Sequence, residues 1–330
     1  MHETTRRQFI QAAAASLAAA QIGSSVLAEQ QDDPAGLPTR PLGQTGERVS
    51  IIALGGWDAA ARKDEKLSIE IMHEAIDNGL TFFDNCWDYH EGYAEEVMGK
   101  ALATAGRRDK VFLMTKVCAR DYAGAKTHLE DSLRRLQTDR LDLWQFHATQ
   151  WDDDSDLIFA PDGALKAAIE ARQAGKVRYI GFTGHKHPRF HQKFLDRDFA
   201  FDTVQMPLNV LDYHYDSFQK ATLPQCVKRN MGVLAMKALC AQDGRLVRET
   251  GIAPEVARSY SLSLPVSALV CGIQTKENLR QDLAIARGFK PMTETDVREV
   301  LATSQPFAAD GKIEKYKTGN YGCDWHHNQT

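Results

Sequence analysis

The 330-residue chain has no CxxC pair, no GxGxxG, no dense run of Lys and Arg, and no Pro/Gly/Ser-rich linker. Beyond its first thirty residues it also has no apolar run approaching the ~18 to 20 residues needed to cross a bilayer. Without GxGxxG, the dinucleotide fingerprint of an open doubly wound sheet is missing. Forty Lys and Arg against 44 Asp and Glu leave a net charge of −4, so nothing tracks a phosphate backbone and nucleic acid is excluded as an expected partner. The cysteines at 86, 118, 226, 240, 271 and 323 are scattered, with no His/Cys cluster at metal-ligand spacing, so no metal is expected. Most of them follow apolar runs and read as reduced core residues, with Cys323 the candidate for an exposed thiol. What is present, 43% hydrophobic and 25% charged residues, suits one large folded domain and excludes a disordered or fibrous chain.

Residues 1–28 differ in composition: Arg6 and Arg7 precede an alanine-rich run, and Val26-Leu27-Ala28 supplies the small side chains of a cleavage site. The stretch Thr5-Arg6-Arg7-Gln8-Phe9-Ile10 resembles the bacterial twin-arginine export motif. The expectation is a signal peptide over 1–28, passage through the twin-arginine export machinery, a periplasmic location, and a folded domain over 29–330 without a membrane span.

From residue 49 onward, β-branched or aromatic runs alternate with segments of helical period. Strands are expected at 49–54, 81–85, 111–116, 142–147, 179–182, 203–206, 233–236 and 268–271. Helices are expected at 66–78, 94–105, 123–137, 163–174, 188–195, 215–229, 254–263 and 276–287. Eight strands, each followed by a helix, predict a (β/α)8 TIM barrel. Gly43-Gln44-Thr45-Gly46 is placed to turn an N-terminal β-hairpin closing the barrel floor, and residues 293–330 add a C-terminal helix and a tail over the open face.

Chemistry in such a barrel sits at the C-terminal strand ends, so a polar residue ending an apolar run is informative. Three consecutive runs end this way, in Asp84, Lys116 and His147. Tyr89 follows Asp84 by five residues, close enough for its hydroxyl to join them. A Lys ammonium beside a phenol favours its ionisation, an Asp keeps that ammonium charged, and an imidazole orients a substrate oxygen. Singly, each is more often structural; together they read as a proton-transfer site.

With these residues in view, the chain resembles the aldo-keto reductase superfamily from about Arg40 to Gly288. The resemblance rests on Arg40-Pro41-Leu42-Gly43-Gln44-Thr45-Gly46, on Gly79-Leu80-Thr81-Phe82-Phe83-Asp84-Asn85 with Tyr89, and on Glu95-Glu96-Val97-Met98-Gly99-Lys100-Ala101-Leu102. It rests also on Leu141-Asp142-Leu143-Trp144-Gln145-Phe146-His147 and Gly175-Lys176-Val177-Arg178-Tyr179-Ile180-Gly181-Phe182-Thr183. The resemblance implies hydride transfer between a nicotinamide cofactor, NADPH or alternatively NADH, and an aldehyde, ketone or alcohol. Tyr89 would be the proton donor, Lys116 its pKa-lowering partner, Asp84 the support and His147 the carbonyl-orienting residue. Thr183 and Gln205 match the positions that bind the carboxamide. Gly272, Gln274, Thr275 and Lys276 match the loop and helix start that hold the adenosine phosphate, with Asp282 further along that helix.

The chain departs from the family pattern in places. Gly184 stands where many members have Asn, and Met236-Lys237 stand where many have an aromatic residue and Ser. Met236 is left to pack on the nicotinamide and Lys237 to reach the pyrophosphate. Asn278 replaces a frequent phosphate-binding Arg, leaving Lys276 or Arg280 as substitutes, and His90 replaces the Gly after the catalytic Tyr. Trp57, Asp58, Trp87, His90, Trp151 and Tyr213 fall in βα loops and are the expected substrate wall, aromatic enough for an aryl, quinone or sugar-type carbonyl. The rival reading is a nicotinamide-binding regulatory or redox-sensing protein with little turnover, against which the intact Asp84, Tyr89, Lys116 and His147 weigh.

Overall fold

The computed structural model describes residues 30–32, 36–241 and 244–319. The expected signal peptide and Cys323 lie outside the described residues. A small antiparallel sheet comes first, with strands β1 (Gln31–Asp32), β2 (Pro38–Pro41) and β3 (Arg48–Ser50) in that order. Eight parallel strands then close a barrel: β4 (Ile52–Gly55), β5 (Phe82–Asp84), β6 (Phe112–Val117), β7 (Leu141–Phe146), β8 (Val177–Thr183), β9 (Thr203–Pro207), β10 (Gly232–Met236) and β11 (Ala268–Gly272). Closure runs through β11 paired with β4, Cys271 opposite Leu54, so no barrel edge is left unpaired.

The interior is filled by Ala53, Phe82, Phe112, Met114, Leu143, Leu234 and Ala268, side chains from alternating strand positions, with Leu42 of the hairpin turn plugging the floor. Gly43 shows why that turn needs glycine. Its φ is +56°, and a Cβ there would come 2.3 Å from the backbone nitrogen of Gly232. Arg40 is fully buried beneath the barrel, where its guanidinium donates to the carbonyls of Leu262 at 2.9 Å and Val266 at 3.0 Å. The second apolar layer lies between strands and outer helices, for example Ile71, Met72 and Ala75 of the helix Glu65–Asp77.

Two expectations are corrected. The run at 49–54 is not one strand: Arg48–Ser50 belongs to the hairpin and Ile52–Gly55 to the barrel. The chain turns between them because the amide of Ile51 donates to Pro38 while its carbonyl accepts from Leu269. The helix expected at 215–229 is broken into Phe218–Ala221 and Leu223–Lys228, since Pro224 lacks the amide that a continuous helix needs and is tolerated only in a first turn. The C-terminal helix is present as Glu294–Ser304, opened by a capping box between Thr293 and Asp296. Beyond it, Glu314, Tyr316 and Lys317 are buried against the β9 loop, where Tyr316 Oη accepts from Asn209 Nδ2 at 2.8 Å and Lys317 Nζ donates to Asp212 at 2.7 Å. No helix among the described residues is long and apolar enough to cross a membrane.

Candidate active site

A cavity of about 670 Å³ opens at the C-terminal ends of the barrel strands, within the size range of small-ligand sites. Asp84 closes β5, Lys116 is the next-to-last residue of β6, and His147 directly follows β7, so three neighbouring strands deliver an acid, an amine and an imidazole to one wall. Lys116 Nζ is paired with Asp84 and donates to the carbonyl of Asn85 at 2.8 Å and to the Tyr89 hydroxyl at 3.2 Å. Three acceptors use the three protons of the ammonium, which fixes it in place.

The loop bearing Tyr89 is held by sequence-local and tertiary ties. Asn85 Nδ2 donates to Ala94 O at 3.0 Å, and Arg135 Nη1 donates to Trp87 O at 2.9 Å. His90, Glu91 and Gly92 follow in succession with φ of 52°, 61° and 92°. Two non-glycine residues in the left-handed region are strained. The tertiary ties hold that strain: His90 is stacked on Trp57 at 4.3 Å and its Nε2 lies 2.8 Å from Trp57 O. At Gly92 a Cβ would come 2.5 Å from the Arg135 guanidinium.

Electrostatics correct one expectation. The Tyr89 phenol is held well above its ordinary pKa, first by burial and then by the charge on Asp84, rather than being pulled down by Lys116. The Asp84 carboxylate largely offsets the field of the ammonium at the hydroxyl. The neutral phenol is therefore the resting form. Burial lowers His147 to about 4, so its imidazole is neutral. Its Nδ1 faces Cys86 Sγ at 3.1 Å and Cys118 Sγ at 3.5 Å, and the Tyr89 and His147 rings meet edge to face at 5.7 Å.

The expected cofactor residues divide. Thr183, Gln205, Met236, Lys237, Gly272 and Gln274 line the cavity, whereas Thr275, Lys276 and Asp282 do not. Thr275 caps the helix Lys276–Arg287 by accepting from Asn278 N at 3.1 Å, which leaves that helix start beside the cavity. Lys276 is paired with Glu70 at 2.6 Å and Arg280 with Glu74 at 2.8 Å, so neither expected phosphate-binding cation faces the cavity. Asp282 is fully buried and pairs with Arg258 at 2.8 Å. It is Arg258, from the first turns of the helix Pro254–Ser263, that lines the cavity.

Several observations fit a nicotinamide dinucleotide. Gln205 Nε2 donates to Asp84 at 3.3 Å while its Oε1 is buried without a hydrogen-bond partner, an acceptor ready for a carboxamide amide group. Arg258 Nη1 is likewise buried and unpartnered, and Lys237, with φ of 62°, brings an ammonium to the wall, lowered in pKa by desolvation. Gly272 lets the wall close: a Cβ there would come 2.6 Å from Asp58 Oδ2. Gly184, the departure after Thr183, sits so tightly on Thr149 that a Cβ would come 2.6 Å from its carbonyl oxygen, which accounts for the lack of a side chain.

Of the expected substrate wall, only Trp57 and Asp58 line the cavity. Asp58 accepts from Gln274 Nε2 at 2.8 Å. Trp87 instead stacks on His128 with ring centroids 3.5 Å apart, and Trp151 and Tyr213 are covered by the ammonium groups of Lys186 and Lys220. His90 backs Trp57. The aromatic wall is therefore reduced to Trp57 and Tyr89, and the remaining lining mixes apolar side chains such as Met236, Leu239 and Val270 with polar ones, among which Asp88 and His185 were not foreseen from sequence. Gln281 and Arg258 are further polar lining groups not foreseen from sequence, beside Asn278; Asn278 and Gln281 stand three apart on one helix, a spacing that places both on one face.

Comparison with known proteins agrees with this architecture. Residues 51–285 match the aldo/keto reductase family, most of the barrel, and the chain belongs to that family. It is 33% identical over 215 residues to the aldo-keto reductase YhdN of Bacillus subtilis, covering 60% of this chain and 61% of that one. It is 32% identical over 234 residues to the methylglyoxal reductase YeaE of Escherichia coli, covering 65% and 74%. A match to the Bacillus subtilis oxidoreductase YrpG, 38% identical over 164 residues, spans 42% of this chain and 47% of that one, so the chain spans from about half to three fifths of two of these relatives. The solved aldo-keto reductase AKR11C1 from Bacillus halodurans, in its holo form, superposes with a TM-score of 0.68 at 24% identity, over 84% of this chain and 99% of that one, and shares the barrel fold.

Proposed function

We propose that the protein is an NAD(P)(H)-dependent oxidoreductase that reduces an aldehyde or ketone, or oxidises the corresponding alcohol, with Tyr89 as general acid and base. The observation that carries this reading is the Tyr89 hydroxyl 3.2 Å from an Lys116 ammonium that is itself paired with Asp84, at the wall shared with His147. The bound nicotinamide supplies or accepts the hydride.

In reduction, the chain's own residues orient and protonate. Gln205 and Thr183 hold the carboxamide and so set which ring face meets the carbonyl. The neutral His147 donates a hydrogen bond to the carbonyl oxygen. Tyr89 gives its proton to the same oxygen as negative charge develops there, and Lys116 stabilises the phenolate left behind. Lys237 and Arg258 serve the phosphates, and Arg258, rather than Lys276 or Arg280, is the cation available to a 2′-phosphate; this favours NADPH with NADH as the second choice.

A wall of Trp57, Asp58, Asp88 and His185 suits a small polar carbonyl better than a broad aryl one. The relative named for methylglyoxal reduction points the same way. The N-terminal Thr5-Arg6-Arg7 supports export through the twin-arginine route to the periplasm, with cleavage after Ala28 and a domain from 29 to 330. There the cofactor must stay bound and be recycled by a second substrate, because free NADPH is cytoplasmic. Following reduced-cofactor absorbance with a panel of small dicarbonyls and hydroxylated aldehydes tests the chemistry; cofactor binding with no carbonyl-dependent oxidation sinks it. Cell fractionation of wild type against Arg6→Lys/Arg7→Lys tests the route, and equal periplasmic recovery contradicts it.

A further inference from the structure

Cys86, Asp88, Cys118 and His147 are dispersed over sixty residues of sequence, yet the ends of three adjacent strands gather them. Cys86 and Asp88 follow β5, Cys118 follows β6 and His147 follows β7. Their ligand atoms all lie within 4.8 Å of one another. Around His147 Nδ1 stand Cys86 Sγ at 3.1 Å, Cys118 Sγ at 3.5 Å and Asp88 Oδ1 at 3.5 Å.

We propose that these four residues form a binding site for a single zinc ion in the wall of the active-site cavity. Tetrahedral zinc, with bonds of about 2.3 Å to sulfur and about 2.0–2.2 Å to nitrogen and oxygen, separates its ligand atoms by roughly 3.3–3.8 Å. The sulfur-to-nitrogen and nitrogen-to-oxygen distances already stand near that spacing, so closure asks for shifts of about an ångström at most. Two sulfurs, an imidazole nitrogen and one carboxylate oxygen are a borderline-soft set that selects zinc over magnesium or calcium.

The surroundings are those of a built site. Cys86 and Cys118 are fully buried, and Asp88 and His147 line the cavity, which gives an ion a way in. Buried Arg120 clamps the backbone of two of the residues, donating to Cys118 O at 3.1 Å and His147 O at 2.7 Å, and is itself held by Asp154 at 2.7 Å. On binding, Zn²⁺ replaces two thiol protons, which pass to solvent. Two thiolates, one carboxylate and the ion then carry a net charge of −1, facing the cations of Lys116 and Arg120.

An ion on Nδ1 fixes the proton of His147 on Nε2, the nitrogen at the opposite edge of the ring, and leaves it as a donor. The zinc is thus a positioning ion for the imidazole. With four protein ligands it has no open position for substrate.

The test reads metal rather than turnover, so its failure is separate from failure of the carbonyl-reduction reading. The full chain, chelator-stripped and kept reduced, is titrated with Zn²⁺ and with Co²⁺. The expected result is one ion per chain, and for cobalt a thiolate-to-metal charge-transfer band with the intense visible bands of a tetrahedral centre. Cys86→Ser/Cys118→Ser abolishes the charge-transfer band and weakens affinity by more than the roughly 10- to 100-fold cost of losing an outer partner. Asp88→Asn, an isosteric change at a partly exposed side chain, weakens it as well, while Cys226→Ser leaves it unchanged. A folded, reduced wild type that takes up no ion overturns the proposal, and so does an ion retained in Cys86→Ser/Cys118→Ser or held with equal affinity by Asp88→Asn.

Discussion

The Lys116 ammonium donates to the Tyr89 hydroxyl at 3.2 Å while sharing its charge with Asp84, so one buried cation serves both a carboxylate and the phenol that, on the proposed mechanism, passes through its anion. Lys116→Met removes that service. The expected loss in kcat is about 100-fold or more, within the range for disabling general acid catalysis, and stability falls by roughly 3–5 kcal/mol because Asp84 is left buried and unpaired. Adding Asp84→Asn restores much of the stability, read by urea unfolding, but none of the activity. Recovery of turnover in the double variant would show that Lys116 matters only for folding.

Lys237 reaches the cavity wall from a left-handed backbone position and has its pKa lowered by desolvation. Lys237→Ala is expected to weaken nicotinamide-dinucleotide affinity about 10- to 100-fold, the scale of a charge-assisted hydrogen bond of roughly 1.5–3 kcal/mol. Fluorescence titration checks this, and unchanged affinity would remove Lys237 from the phosphate site.

Arg258 and Asp282 form a buried pair whose other face is turned to the cavity. Arg258→Met is expected to lose about 3–5 kcal/mol of stability near neutral pH. Burial raises Asp282 to about 7 against the pull of the guanidinium, and losing Arg258 raises it further, so the variant takes up the proton first and its deficit shrinks as pH falls towards 7 from above, then stays level at lower pH. Urea unfolding across that window checks the sign; a deficit that grows on acidification would contradict it.

His191 is fully buried among Phe182 and Phe218, and burial lowers it to about 3. Because the unfolded chain protonates near 6.5, this neutral imidazole makes stability fall as pH drops from about 6.5 towards 3, by up to about 1.4 kcal/mol per pH unit. His191→Phe is expected to flatten the acid limb of the stability curve by that one proton. An unchanged slope would place the charge balance elsewhere.

Much of this was legible in the sequence because it depends on local pattern. The barrel followed from eight apolar runs separated by helical periods, and Asp84, Lys116 and His147 stood out as polar ends of apolar strands. What was not legible depends on tertiary direction. Trp87, Trp151 and Tyr213 occupy the expected loops, but stacking on His128 and cover by Lys186 and Lys220 engage them elsewhere. Asp282 and Arg258 lie 24 positions apart, and only the packing of two helices reveals that the acid holds the base. The proximity of Cys86, Cys118 and His147 is likewise a product of barrel closure, invisible to any search by spacing. The shift of Tyr89 reversed direction because burial and Asp84 outweigh the neighbouring ammonium.

The central claim is that Tyr89 supplies the proton in carbonyl reduction, and single-turnover oxidation of bound reduced cofactor by a reactive small carbonyl tests it most directly. Tyr89→Phe keeps the ring and its packing but lacks the hydroxyl. The account predicts that this variant binds the cofactor as wild type does and oxidises it roughly 100- to 10,000-fold more slowly. A variant that turns over at the wild-type rate would contradict the account.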